Sequence, residues 1–214
     1  MRNTMMVAAL ALAVGAAGAH EAVAQESLLG VKAGFVSANV DEDGADARTS
    51  LGFGGFARFG VGPRLSVQPE ALYLGKGFGD ETDGIDATFE LDYVQIPVLL
   101  QYHVPVAGDI SPRLFAGPAI AFNLGCDVSG GDGSTSVSLS CDAFSDFGVD
   151  LEAKTLELAL VFGGGVDIAA GSTTVTLDGR YDLGLSDVLE IEGVSGLKNR
   201  AWELFAGVGF PFGP

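Results

Sequence analysis

Basic residues are scarce in this chain: 11 Lys and Arg stand against 28 Asp and Glu, a formal net charge of −17 over 214 residues. That balance excludes nucleic acid as a partner, because phosphate binding draws on clustered Lys and Arg. Histidine is almost missing, with His20 and His103 the only two. Cysteine is equally thin, with Cys126 and Cys141 alone, so a metal pair there would lack further Cys or His ligands nearby. No segment reaches the roughly 18 consecutive apolar residues that a membrane-spanning helix requires. If a membrane holds this chain, a closed barrel is the only spanning form left, since lipid cannot satisfy an open sheet edge.

What is present begins with a leader. Met1-Arg2 gives a short positive start, Met5 to Ala17 is apolar and small, and Ala22-Val23-Ala24 fits an A-x-A cleavage site before Gln25. Residues 1–24 therefore read as a secretory signal peptide, and residues 25–214 as one domain exported from the cytoplasm. With 32 Gly, 48% hydrophobic and only 18% charged residues, the composition agrees with a single all-β barrel.

The hairpin from Lys154 to Leu185 shows what each face meets. Leu156, Leu158, Leu160, Phe162, Val166 and Ile168 alternate with Thr155, Glu157, Ala159, Val161, Gly163, Gly165 and Asp167. After the turn Ala169 to Thr173, the split recurs: Val175, Leu177, Tyr181, Leu183 and Leu185 against Thr174, Thr176, Asp178, Arg180, Asp182 and Gly184. Period two is the strand signature. An apolar face sustained over roughly ten residues is long enough to cross a bilayer on a tilt, and the charged, glycine-bearing face then lines a polar lumen.

The same alternation recurs along the whole chain. The first strand spans about Leu29 to Val40, with Lys32 and Gly34 facing inward. The second places Leu51, Phe53, Phe59 and Val61 against Gly52, Gly54, Arg58 and Gly60; the third places Leu65, Val67, Ala71 and Tyr73 against Ser66, Gln68 and Glu70. The third then dissolves at Gly75-Lys76-Gly77 into an acidic loop around Asp80 to Asp86. The fourth covers Phe89 to Val104, the fifth centres on Leu114 to Phe122, and the last runs from Trp202 to Phe212. With the hairpin, these predict an eight-stranded antiparallel up-and-down transmembrane β-barrel.

The odd-numbered connections are long and acidic or Gly/Ser-rich, and the even-numbered ones short, which assigns the short turns and both termini to the periplasm of a bacterial outer membrane. Aromatic residues sort by height into an outer girdle of Phe35, Tyr73, Phe122 and Trp202 and an inner one of Phe59, Tyr102, Phe210 and Phe212. Pro69, Pro97 and Pro118 fall inside strands, where a missing ladder donor predicts local bulges.

Several stretches carry a resemblance: Gly30-Val31-Lys32-Ala33-Gly34, Gln68-Pro69-Glu70, the run Tyr93 to Tyr102 with its Y-x-x-I-P pattern, Phe115-Ala116-Gly117-Pro118, Asp178-Gly179-Arg180-Tyr181, and Gly207-Val208-Gly209-Phe210. Together these resemble the PorT-like outer-membrane β-barrel domain, often called a porin family protein. The resemblance implies an eight-stranded barrel that tolerates Pro97 and Pro118, and it implies no reaction and no catalytic residues. The Gly213-Pro214 tail departs from the family, whose barrels usually finish on the aromatic residue itself.

Function follows from the lumen and the loops. Inward positions include Arg58, Glu70, Arg113, Glu157, Asp167, Asp178, Arg180 and Glu203, with Arg58, Arg113 and Asp167 low and Glu70, Glu157, Arg180 and Glu203 higher. Long side chains of opposite sign at each level can meet across an eight-stranded bore, which side chains just fill. This predicts a largely plugged barrel with acidic outside loops and a structural or surface-interaction role. The alternatives are a small porin-like channel or transport or secretion accessory, favoured by the space that inward glycines leave, and a soluble lipocalin-like carrier with an apolar interior.

An outer-membrane lipid hydrolase needs a base at the outer leaflet, and His103 falls at the periplasmic mouth, so no enzyme and no cofactor are expected. The acidic runs Asp41-Glu42-Asp43-Gly44 and Asp80 to Gly84 lack the full D-x-[DN]-x-[DN]-G calcium spacing and read as solvated loops. In an exported chain, Cys126 and Cys141 favour a disulfide over a metal pair or free thiols. Expected partners are outer-membrane lipid, lipopolysaccharide and the barrel-insertion machinery, around a monomer.

Overall fold

The computed structural model describes residues 27–40, 46–82, 85–131, 136–141, 143, 152–186, 189–190 and 198–213. The segment 1–24 read from sequence as a signal peptide, the Asp41 to Gly44 run and most of the Asp187 to Gly196 connection lie outside them. Long stretches of alternating sequence form β1 (Ser27–Val40), β2 (Asp46–Gly62), β3 (Leu65–Thr82), β4 (Ile85–His103) and β5 (Ile110–Gly131). A short β6 (Ser136–Ser140) and β7 (Glu152–Ala153) precede β8 (Leu156–Ala170) and β9 (Thr173–Gly184). After β10 (Leu189–Glu190), the chain ends on β11 (Asn199–Phe212).

The sheet order is β4-β3-β2-β1-β11-β9-β8-β5-β6, and β4 also pairs with β5. That extra pairing closes the sheet into an eight-stranded antiparallel barrel of β1 to β5, β8, β9 and β11, with no free edge around the wall. The first and last strands meet from Ser27↔Phe212 to Val40↔Asn199. The short β6 hangs on the far end of β5, and β7 pairs with β10 as a separate two-stranded ribbon. Alternation fixes which side chain faces which solvent, because a one-residue slip would turn each apolar residue inward. Outside stand Phe35, Leu51, Phe53, Trp202 and Leu204, each more than half exposed, while Lys32, Glu70, Arg113 and Arg180 are buried inside.

Several outward-facing aromatic residues pair along the wall. Phe59 and Phe212 meet edge to face at 5.8 Å near the short turns. Toward the other end, Phe53 stacks on Tyr73 at 5.3 Å, and Tyr181 contacts both Phe162 and Trp202.

Two expectations need correction. The third strand does not dissolve at Gly75-Lys76-Gly77: β3 stays paired with β4 as far as Thr82↔Ile85, so a long hairpin replaces the anticipated loop. Gly77 permits this, since its φ is +144° and a Cβ there would strike the Phe89 carbonyl oxygen, a close backbone approach that suits only glycine. Nor do the three strand prolines make bulges. The β3–β4 ladder skips Glu70, Ala71, Ile96 and Pro97 and resumes in the same register. The β4–β5 ladder does likewise across Val98, Leu99, Gly117 and Pro118. A lost N–H donor costs local bonds here and leaves the register intact. The irregularities sit instead between Ala47 and Gly52, between Gly60 and Gly62, and at Asp92/Tyr93.

Candidate functional site

The barrel's interior is the part of the molecule where chemistry concentrates. Starting near the short turns, Arg58 on β2 donates from Nε to Gln68 Oε1 at 2.8 Å and from Nη1 to Asp167 Oδ2 at 2.5 Å. The other oxygen of Asp167 accepts Nε–H of Arg113 at 2.9 Å. Arg113 reaches on through Nη2 to Asp178 Oδ1. Asp178 Oδ2 accepts from Lys32 Nζ at 2.7 Å, and Lys32 also donates to Glu70 Oε1 at 2.8 Å. Glu70 Oε2 accepts from Arg180 Nη1 at 2.7 Å, and Arg180 Nε donates to Glu203 Oε2 at 2.5 Å.

The result is an unbroken series, Arg58–Asp167–Arg113–Asp178–Lys32–Glu70–Arg180–Glu203, carried by β1, β2, β3, β5, β8, β9 and β11. Each carboxylate between two cations uses both oxygens. Every member is 7% exposed or less, a degree of burial that charge tolerates only when paired and hydrogen-bonded.

A second cluster lies toward the long connections. Lys76 Nζ donates to Asp182 Oδ2 at 2.8 Å and lies 3.6 Å from Glu157 Oε1. Gln95 Nε2 donates to the same Asp182 oxygen at 2.7 Å, and Asn199 Nδ2 to Glu157 Oε2 at 2.9 Å. Aromatic faces press on the cations throughout: Arg180 over Phe205 at 4.5 Å, Lys32 over Phe56 at 5.1 Å, Lys76 over Tyr93 at 5.3 Å and Arg113 over Phe115 at 5.5 Å. Such contacts gain strength where water is excluded.

Of the charged residues singled out from sequence, Arg58, Glu70, Arg113, Asp167, Asp178, Arg180 and Glu203 lie in the single series, and Glu157 lies in the second cluster. Arg58, Arg113 and Asp167 stand at the short-turn end. Sequence reasoning left out the residue that joins the two halves of the series, Lys32, although its place on the inward face of the first strand was the available signal. It also left out Asp182, for which the inward alternation of the hairpin gave the same signal. Lys76 carried none, because flanking glycines disguised a strand as a loop.

The inward glycines do not translate into empty space. A Cβ at Gly165 would lie 2.5 Å from Asp178 Oδ1, one at Gly163 2.7 Å from Arg180 Cβ, and one at Gly52 2.8 Å from Leu74 Cδ2. Their room is taken by neighbouring side chains. Part of the lumen is also apolar: Leu99, Phe115, Ala119, Ala159 and Val161 pack together on β4, β5 and β8. Val161 thus meets hydrocarbon where the sequence suggested water and polar groups.

His103 closes β4 at the short-turn end, its Nε2 2.9 Å from Ser66 Oγ. Both line a cavity of about 350 Å³ with Arg58, Asp109 and Asp167. At the opposite end, Cys126 on β5 and Cys141 beyond β6, 15 positions apart in sequence, form a disulfide with Cα atoms 5.4 Å apart. It clasps β6 onto the extension of β5, where Asp127 pairs with Ser140. Among the described residues, no three His, Cys, Asp or Glu side chains gather as a metal-binding group.

The family described as "Outer membrane protein beta-barrel domain" matches residues 23–190. Among solved structures, Neisserial surface protein A is similar at 14% identity and a TM-score of 0.51, covering 87% of this chain and 97% of its own. A major outer membrane protein of Thermus thermophilus is similar at 12% identity and a TM-score of 0.52, covering 87% and 99%. These likenesses are of fold alone. No curated protein matches the chain.

Proposed function

The chain belongs to the outer membrane protein β-barrel domain family, and from that premise we propose that it is a structural or surface-interacting barrel of the bacterial outer membrane, plugged by its own side chains. The observation that carries this reading is the lumen series itself, in which Arg180 spans from Glu70 on β3 to Glu203 on β11 and Lys32 from Glu70 to Asp178 on β9. Cations and carboxylates so paired fill the bore that a diffusing solute would need. An open channel would instead leave each charge separately hydrated. Within the family, the Tyr93 to Tyr102 run supports a position beside the PorT-like barrels.

No reaction is assigned to it. His103 and Ser66 stand at the short-turn end, away from an outer leaflet on which a lipid-modifying enzyme would act. The partners this reading supplies are outer-membrane lipid and lipopolysaccharide against the exposed apolar belt, and the insertion machinery that closes β1 on β11, around a monomer. Liposomes loaded with a small sugar test it. Vesicles carrying the refolded protein are expected to swell no faster than empty ones in an iso-osmotic sugar solution, and swelling that rises with protein content would mean a transport function.

A further inference from the structure

The charges of the lumen balance unevenly along its height. In the lower series, Lys32, Arg58, Arg113 and Arg180 answer Glu70, Asp167, Asp178 and Glu203 one for one. In the upper cluster, Lys76 is, among the described residues, the one cation between Asp182 and Glu157, and all three are about 1% exposed. One negative charge is therefore buried in excess, a costly condition unless something neutralises it.

The oxygens around it point to what does. Gln95 and Asn199, 0% and 1% exposed, turn their amide nitrogens to Asp182 and Glu157. Among the described residues, their carbonyl oxygens, Gln95 Oε1 and Asn199 Oδ1, find no donor, and neither does Asp182 Oδ1. Glu157 Oε1 has no hydrogen-bond donor either and only the distant ammonium of Lys76. Gly184 keeps the adjoining wall open, since a Cβ there would come within 3.0 Å of Glu157 Oε1.

We propose that the upper lumen binds one alkali-metal cation, Na⁺ or K⁺, through oxygens of Glu157, Asp182, Gln95 and Asn199. The ligands are hard oxygens, half of them neutral, as suits a weakly polarising ion. Charge selects the valence: one monovalent ion brings the cluster to neutrality, whereas Ca²⁺ would leave it positive. A proton on Glu157 would neutralise the charge too, but its single O–H could serve only one of the two amide oxygens.

The proposal rests on the lumen packing of the plugged barrel, yet sugar flux and cation dependence are read separately, so either can fail alone. The refolded protein is melted in detergent at constant ionic strength in NaCl, KCl or N-methylglucamine chloride. The Tm is expected to be higher in one or both alkali salts and to rise by roughly 3–5 °C for each tenfold increase in that cation once the site fills. Glu157→Gln, which removes the surplus charge at constant shape, should abolish the difference. A second readout needs no variant: the ²³Na resonance should broaden with protein and sharpen again when the preferred cation is in excess. Equal melting in all three salts, an unbroadened ²³Na line, or a cation dependence that survives in Glu157→Gln would each overturn the site.

Discussion

Within the bore, the strands β1, β3, β9 and β11 send Lys32, Glu70, Asp178, Arg180 and Glu203 inward beside the apolar Leu72 and Phe205, whereas β4, β5 and β8 send the cluster Leu99, Phe115, Ala119, Ala159 and Val161. Both sets come from strands with the same alternation, and both are shielded from water. The charged side supplies directional contacts that join opposite walls, and the apolar side supplies packing that keeps water from competing with them. Ion pairs in such surroundings act through a lower effective dielectric than at a surface. The difference teaches that an inward face of a small barrel need not be polar. It has to be filled, and its members have to suit whatever the opposite wall presents.

The largest expected effect comes from breaking the charged side. Arg180→Ala strands Glu70 and Glu203 at once, and removing one partner of a buried pair costs about 3–5 kcal/mol. Urea titration of the protein refolded into lipid vesicles should show that loss, and a change under about 1 kcal/mol would mean these groups are hydrated individually.

The apolar side gives the next test, with adjacent residues pointing to opposite faces. Leu160→Arg places a charge against lipid at about 2–4 kcal/mol if it lies near the midplane. Val161→Arg drives an unpaired charge into the cluster of Leu99, Phe115, Ala119 and Ala159, so it should cost at least as much. A mild Val161→Arg beside a severe Leu160→Arg, measured by the same titration, would restore a wet, polar lumen on this side.

Farther from the comparison, the disulfide clasps β6 rather than the bore. Cys126→Ser with Cys141→Ser should lower stability by up to about 3 kcal/mol on loop-entropy grounds while leaving sugar flux unchanged. Intact-mass measurement without reductant should find the two cysteines linked in the wild type. The smallest effect belongs to Arg48 and Glu90, a pair 3.2 Å apart whose side chains are 22% and 41% exposed. Glu90→Gln should cost less than about 1 kcal/mol, and a loss matching that of Arg180→Ala would erase the distinction between buried and exposed pairs.

The strands and their register were legible because alternation in a lipid-facing wall is a binary signal: Leu156, Leu158 and Leu160 can face only one way once Glu157 faces the other. The inward placement of the charged residues followed from the same alternation. What alternation does not encode is the neighbour across the bore. Lys32 stood on the correct face in the sequence, but its contact with Asp178, 146 positions away, is set by barrel closure. The apolar company of Val161 is likewise a property of three strands together. Lys76 was hidden for a local reason, since Gly75 and Gly77 punctuate a turn in most sequences and here allow a close approach within a strand. The prolines misled in the opposite sense, because a lost donor was expected to shift the ladder and only interrupts it.

The central claim is that paired side chains close the bore, and single-channel recording tests it most directly. Wild-type protein refolded into planar bilayers should give no stable, stepwise conductance, while Arg180→Ala should admit brief openings as Glu70 and Glu203 lose their shared partner. Stable stepwise currents from the wild type would contradict the account, since ions could then pass where the series from Arg58 to Glu203 is said to fill the lumen.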